Sequence, residues 1–226
     1  MPFFQYGTDE TEYLKKRDPV LGRAIDRIGP VYREVIPDLF EALVNAVVGQ
    51  QVSTRAQATI WARMKAAYPF FTPELICGMP DEALRRFGIS LRKVSYIKGA
   101  AEKILSGELD LAVLEQKTDL EVCRELSSLN GIGVWTAEML LLFSMQRPDV
   151  LSYRDLAIRR GLRMLYRHRE ITPKLFEKYR KRYSPYGSVA SLYLWAVAGG
   201  ALEDLADPAE IKRHNRRKKE ISGDEK

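Results

Sequence analysis

No stretch of this 226-residue chain alternates apolar and polar residues over the length of a strand, whereas apolar residues recur every three to four positions almost throughout. That spacing gives a helix one stripe to bury and gives a strand no inner face. The chain is therefore expected to be all-α. Asp9-x-x-Glu12 has the form of a capping box and opens a first helix reaching about Arg27. Pro37-Asp38 opens Leu39–Gly49, with Phe40, Leu43, Val44, Val47 and Val48 on one face, and a second helix follows over 53–68. Pro73 and Pro80 sit where short helices begin, at 73–77 and 80–86. After the break at Gly88-Ile89-Ser90, a long helix is predicted over 90–105. Thr118-x-x-Glu121 is a second capping box, leading to about Ser128, and a strongly apolar helix covers 134–145. Thr172-Pro173 and Ser184-Pro185 each place a cap before a proline, predicting helices over 173–182 and 185–199.

Composition narrows the chemistry. A hydrophobic content of 46% is ordinary for a soluble protein with a sizeable core. Two cysteines, Cys77 and Cys123, lie far apart and suit buried, reduced thiols in a cytosolic protein. Two histidines leave little scope for a zinc site or a histidine triad. No apolar run is long enough to cross a membrane, and the start, Met1-Pro2-Phe3-Phe4-Gln5-Tyr6, is not a secretory signal, so a cytoplasmic protein is expected. Of the net +6, residues 212–226 carry +4, so the chain divides into one domain over 1–210 and a basic tail over 211–226. Residues 154–182 hold eleven Lys/Arg against Asp155, Glu170 and Glu177. Arg159, Arg163 and Arg167 recur at helical spacing and would make a basic stripe, or simply a solvated face.

The most specific segment is Leu129-Asn130-Gly131-Ile132-Gly133-Val134-Trp135-Thr136-Ala137, with Asp155 twenty residues after the tryptophan. Helices on either side make 118–145 a helix, a glycine hairpin and a helix. The hairpin glycines leave amides at the start of the second helix, where the helix dipole favours a phosphate. Such contacts fix register on a nucleic acid without reading sequence. A carboxylate near that backbone is repelled by phosphate, so Asp155 calls for a chemical role rather than a binding one. Read singly, the same residues have plainer uses. The hairpin would be a helix–helix turn, and Asp155 the cap of a helix over 156–165. Trp135, Trp195 and Trp61 would be core, and Gln50 and Gln51 solvent-facing caps.

With these motifs the chain resembles the helix-hairpin-helix DNA glycosylase superfamily, and within it the 3-methyladenine DNA glycosylase II (alkylbase) branch. The resemblance runs from about Asp18 to Gly200. Besides the hairpin it is carried by the block from Phe40 to Ser53, by Gly88-Ile89-Ser90-Leu91-Arg92-Lys93, by Asp155-Leu156-Ala157-Ile158-Arg159-Arg160, and by Tyr186-Gly187-Ser188-Val189-Ala190 with Leu192-Tyr193-Leu194-Trp195. It implies two helical lobes with the active site in a cleft between them, Asp155 close to Trp135. It implies a catalytic Asp155 and a base pocket of Trp135, Met139 and Trp195. DNA contacts fall on Gln50, Gln51, Ser53, Gly131, Ile132, Gly133, Thr136 and Arg159, with Gln50 or Gln51 plugging the gap left by a flipped base.

The resemblance also implies a monovalent cation, sodium or potassium, on the backbone carbonyls of Ser127, Leu129 and Gly131, and no other cofactor. The partner would be damaged duplex DNA, with no membrane, and the protein a monomer of prokaryotic type associated with the nucleoid. Bifunctional relatives place a lysine nucleophile where this chain has Trp135, so no strand-nicking lyase is expected. Iron–sulfur relatives need four closely spaced cysteines, and this chain has two. Departures from the family are Asn130 for the first hairpin proline, Ser152 for a proline, and Arg154 for an acidic residue before Asp155. The activity implied is removal of alkylated purines from DNA. The alternatives are a non-catalytic DNA-binding module and a glycosylase for deaminated or oxidised bases.

Overall fold

Side-chain caps set most of the helix starts in this chain. In the computed structural model, which describes residues 2–210, the chain forms thirteen helices. They are α1 Thr8–Arg17, α2 Pro19–Ile28, α3 Leu39–Gly49, α4 Thr54–Ala67, α5 Pro73–Gly78, α6 Asp81–Arg85, α7 Leu91–Leu105, α8 Leu111–Glu115, α9 Asp119–Leu126, α10 Val134–Phe143, α11 Leu156–Tyr166, α12 Pro173–Tyr183 and α13 Gly187–Ala198. Among the described residues there is no strand, only one antiparallel bridge between Phe3 and Glu34. The all-α expectation therefore holds. No helix among them is long and apolar enough to cross a membrane. The basic tail predicted over 211–226 lies outside the described residues.

The sequence predicts about ten helices, and the thirteen found among the described residues differ from that expectation at three places. The first helix does not run to Arg27. It stops at Arg17, because the buried Asp18 carboxylate accepts from the Val20 and Leu21 amides and opens a new helix with Pro19 in its first turn. Its start is also earlier: Glu10, not Glu12, reaches back to the Gly7 amide at 2.8 Å. The Ser184-Pro185 pair does not begin a helix. The bond between them is cis, and Ser184 donates to the Asp149 carboxylate, which also accepts from the Gly187 amide at 3.0 Å, so α13 begins at Gly187. Finally, α8 was not anticipated. It spans five residues and is capped by Asp110, too short for periodicity to register.

The chain divides into two compact units. The first holds Glu34–Arg147 with the start of the chain through Phe3. Its centre is α3, whose Leu43, Val44 and Val47 are fully buried and which packs on α4, α7 and α10. Each such side chain contributes about 1.5–3 kcal/mol by leaving water. The second unit holds Phe4–Arg33 and the chain from Pro148 onward. Here α11 lies against α13, and both contact α2. Gly161 permits this approach, since a Cβ built there would stand 2.3 Å from the Leu194 carbonyl oxygen. Ala24, Met164, Val197 and Leu202 close the core around these helices.

Candidate active site and nucleic-acid interface

The glycine turn in the first unit follows from its flanks. The Thr118–Glu121 capping box starts α9 as predicted. Beyond α9 the chain tightens: the Leu129 amide donates to the Leu126 carbonyl and the Ile132 amide to the Leu129 carbonyl, each at 3.1 Å. Leu129 and Ile132 are buried and anchor the turn. Gly131 has φ +82°, and a Cβ there would sit 2.2 Å from the Tyr96 ring. Both the conformation and the contact demand glycine. Gly133 caps α10 with its backbone alone, having no side chain to accept from the first-turn amides. That is the geometry of an anion site. Gly131 and Gly133 are exposed.

The loop after α3 is tied to this turn. Gln50 Nε2 donates to the Gly131 carbonyl at 2.7 Å. Lys93 Nζ, from the first turn of α7, donates to the Val48 carbonyl at 2.9 Å, and burial holds its pKa below the usual lysine range. Gly49 makes room for the Gln57 amide, which bonds Asn45. Gln51 is left exposed in the left-handed region, φ +56°, a conformation that non-glycine residues adopt only where surroundings enforce it.

Other predicted contacts of this unit fall into place unevenly. Ser53 is exposed, its hydroxyl capping α4 by accepting from the Ala56 amide at 3.2 Å. The side chains of Thr136 and Ile132 are buried, and the Ile132 amide is used within the turn. Trp135, in the first turn of α10, is 45% exposed despite its size, and Met139 one turn later is half-buried. Of the carbonyls expected to hold a cation, those of Leu129 and Gly131 each accept one hydrogen bond. A carbonyl oxygen has a second lone pair, so both retain capacity for a hard ion. The Ser127 hydroxyl is buried without a partner beside them in sequence. Among the described residues no cluster of three or more His, Cys, Asp or Glu could hold a metal.

The second unit carries the carboxylate. Asp155 is only 7% exposed and caps α11, its Oδ1 accepting from the Ile158 amide at 2.8 Å. The same oxygen accepts from Trp195 Nε1, on α13, at 3.1 Å. The plain reading of Asp155 as a cap is thus correct and compatible with the chemical one, because capping and the indole together fix the carboxylate. Trp195 is half-buried and carries the Arg33 guanidinium at 5.8 Å from its ring centroid. No local sequence pattern marks Arg33 for this contact. Tyr96 was likewise unmarked.

Of the arginines that could make a basic stripe, Arg163 is neutralised by an acidic partner. Arg163 makes a two-pronged pair with the buried Asp207. Arg182 pairs with Asp18 at 2.7 Å, Arg180 with Glu177, and Arg160 with Glu210. Arg159 is half-buried with its guanidinium 5.0 Å from the Tyr153 ring centroid. The window 154–182 looked strongly basic because Asp18, Asp207 and Glu210 lie outside it.

Comparison with known proteins agrees with these observations. Residues 44–185 match the family described as HhH-GPD superfamily base excision DNA repair protein. DNA-3-methyladenine glycosylase 1 of Schizosaccharomyces pombe is 36% identical over 180 residues, 77% of this chain and 78% of that one. A crystal structure of a DNA-3-methyladenine glycosidase from Bacillus halodurans superposes with a TM-score of 0.80 at 36% identity, covering 95% of this chain and all of that one. The Schizosaccharomyces pombe 3-methyladenine DNA glycosylase Mag1, in complex with abasic DNA, superposes with a TM-score of 0.74 at 32% identity, covering 84% of this chain and 96% of the other. With a family match over more than half its length, a glycine hairpin of the kind that names the family and an aspartate held at the start of the next helix in sequence, the chain belongs to the HhH-GPD superfamily of base excision DNA repair proteins.

Proposed function

We propose that the protein is a DNA glycosylase of the 3-methyladenine II type, hydrolysing the N-glycosidic bond of alkylated purines such as 3-methyladenine and 7-methylguanine in duplex DNA. The observation that carries this reading is the buried Asp155 carboxylate, fixed by the Ile158 amide and the Trp195 indole. The relatives that match, named as 3-methyladenine glycosylases, support it.

The target nucleotide must first leave the stack, which costs a few kcal/mol and less for a damaged base. Amides of the hairpin hold the backbone. Gln51, exposed and strained, fills the vacated space, while Gln50 is committed to the Gly131 carbonyl. The carbonyls of Ser127, Leu129 and Gly131 would hold a sodium or potassium ion, which supplies positive charge toward a phosphate. An alkylated purine carries a positive charge and is already a good leaving group. Trp135, Trp195 and Met139 offer it apolar and π surface. As the bond to the base breaks, the sugar gains oxocarbenium character, which the Asp155 carboxylate stabilises while orienting the attacking water. The carboxylate is repelled by phosphate in the ground state and attracted to the sugar only at the transition state. Trp135 stands where a Schiff-base lysine would be needed, so release proceeds without strand nicking. The protein acts as a cytoplasmic monomer without a required cofactor.

One observation favours a second reading. The Arg33 guanidinium already faces the Trp195 ring, and a second cation there is disfavoured, which suits a neutral deaminated base. One experiment separates the two. Methylated and deaminated duplexes are incubated with wild type and Asp155→Asn, and released bases are resolved by chromatography. Asparagine keeps an oxygen for both hydrogen bonds, so folding and DNA binding should survive. Release of methylated purines by wild type, lowered about a thousandfold in the variant, supports the first reading. Release of deaminated bases alone supports the second, and no release of any base with DNA binding intact defeats both.

A further inference from the structure

The two cations at the start of α7 have opposite fates. Lys93 turns inward to the Val48 carbonyl. Arg92, its neighbour, is exposed, and among the described residues no carboxylate pairs with it. Its side chain is nevertheless held. Nε donates to the Tyr96 hydroxyl at 2.5 Å, and the guanidinium carbon lies 5.6 Å from the centroid of the same ring. That ring occupies the space a Cβ on Gly131 would need, 2.2 Å away. One tyrosine therefore joins an ordered guanidinium to the hairpin glycine. Nε is taken by the tyrosine, so the two terminal nitrogens remain as a fork, and a fork of two parallel donors matches a phosphate. Elsewhere in the chain, Arg163, Arg180 and Arg182 are neutralised by acidic partners. The charge at Arg92 is spared that neutralisation beside an anion-binding turn, and ordering it in advance lowers the entropy lost on binding.

We propose that Arg92, positioned by Tyr96, binds a phosphate of the DNA strand that the hairpin engages, adding a binding site outside the glycine turn itself. This rests on the reading of the hairpin as a DNA-backbone clamp.

The test is fluorescence anisotropy of a labelled undamaged duplex titrated with full-length protein at several salt concentrations. Wild type, Arg92→Gln, Arg92→Lys and Tyr96→Phe are compared, with thermal melting of each. Arg92→Gln should lower the slope of log affinity against log salt by about one and weaken binding about threefold to tenfold. Arg92→Lys, which keeps the charge, should restore the slope. Tyr96→Phe keeps the ring against Gly131 and the charge on Arg92. It should keep the slope while weakening binding by about twofold to threefold, the loss of preorganisation alone. An Arg92→Gln slope equal to that of wild type, with an unchanged melting temperature, overturns the proposal and leaves the hairpin reading standing. Absence of salt-dependent duplex binding by wild type overturns both.

Discussion

Asp155 does two things with one oxygen: it starts α11 and it receives the Trp195 ring N–H. Trp195→Phe removes only the second bond and keeps most of the packing. It is expected to lower single-turnover base release by about tenfold, through a looser carboxylate, with little change in DNA affinity. Equal single-turnover rates would show the indole to be dispensable for positioning. The two hairpin glycines should behave differently from each other. Gly131→Ala forces a methyl into Tyr96 at a positive φ, and should cost about 2–4 kcal/mol. Gly133 has φ −91° and open space around it, so Gly133→Ala should melt within a few degrees of wild type. Thermal melts of the two variants side by side decide this. Gly131, Gly133 and Asp155 were legible as candidates because they belong to motifs with fixed spacing. What was not legible is the set of residues that hold them. Tyr96 meets Gly131 from 35 positions away, and Trp195 meets Asp155 from 40 away. No local pattern announces such contacts. Thr136, a member of the same motif, has its side chain buried.

At the scale of helices, the carboxylate's geometry depends on how α11 lies on α13. Gly161 sets that approach against the Leu194 backbone, which has no flexible end to yield. Gly161→Ala should therefore displace α11, lowering stability by about 1–3 kcal/mol and base release by about tenfold or more, while leaving duplex binding by the hairpin in place. Activity retained in full alongside a lowered melting temperature would separate the packing from the chemistry. Helix boundaries were legible wherever a cap and an apolar face coincided, as at Asp38, Thr118 and Thr172. The break between α1 and α2 was missed although Asp18-Pro19 carries the same kind of signal as Thr172-Pro173. The apolar spacing continued across it and hid the stop. At Ser184-Pro185 the local signal was present but Asp149, from a distant loop, took both Ser184 and the helix start.

Across the whole molecule, ionisable groups buried in the second unit should shape stability from both ends of the pH range. The Asp207 carboxyl is held below its usual range chiefly by its hydrogen bonds to Arg163, against the opposing effect of burial. Its contribution is present above about pH 4 and is lost as the pH falls through the lowered value. Burial pushes the Tyr166 and Tyr183 hydroxyls far up, with Asp18 adding to it. Their contribution is intact below about pH 10 and is lost as the pH rises beyond that. Urea unfolding between pH 3 and 11 should show both limbs. Asp207→Asn should cost about 1–3 kcal/mol at neutral pH and flatten the acid limb; an acid limb identical to wild type would place its origin elsewhere. The division of the chain has a further consequence, for the order of synthesis. The first unit is continuous apart from its opening residues and can complete its core once Arg147 has emerged. The second is split, since α1 and α2 are made first and α11–α13, which cover them, last. At about 5–20 residues per second, the newborn α2 waits on the order of ten seconds for its partners. The unit that carries Asp155 is thus the one whose assembly must await synthesis of α11–α13, and nascent chains truncated before Tyr183 should expose α2 to protease while 34–147 is already protected.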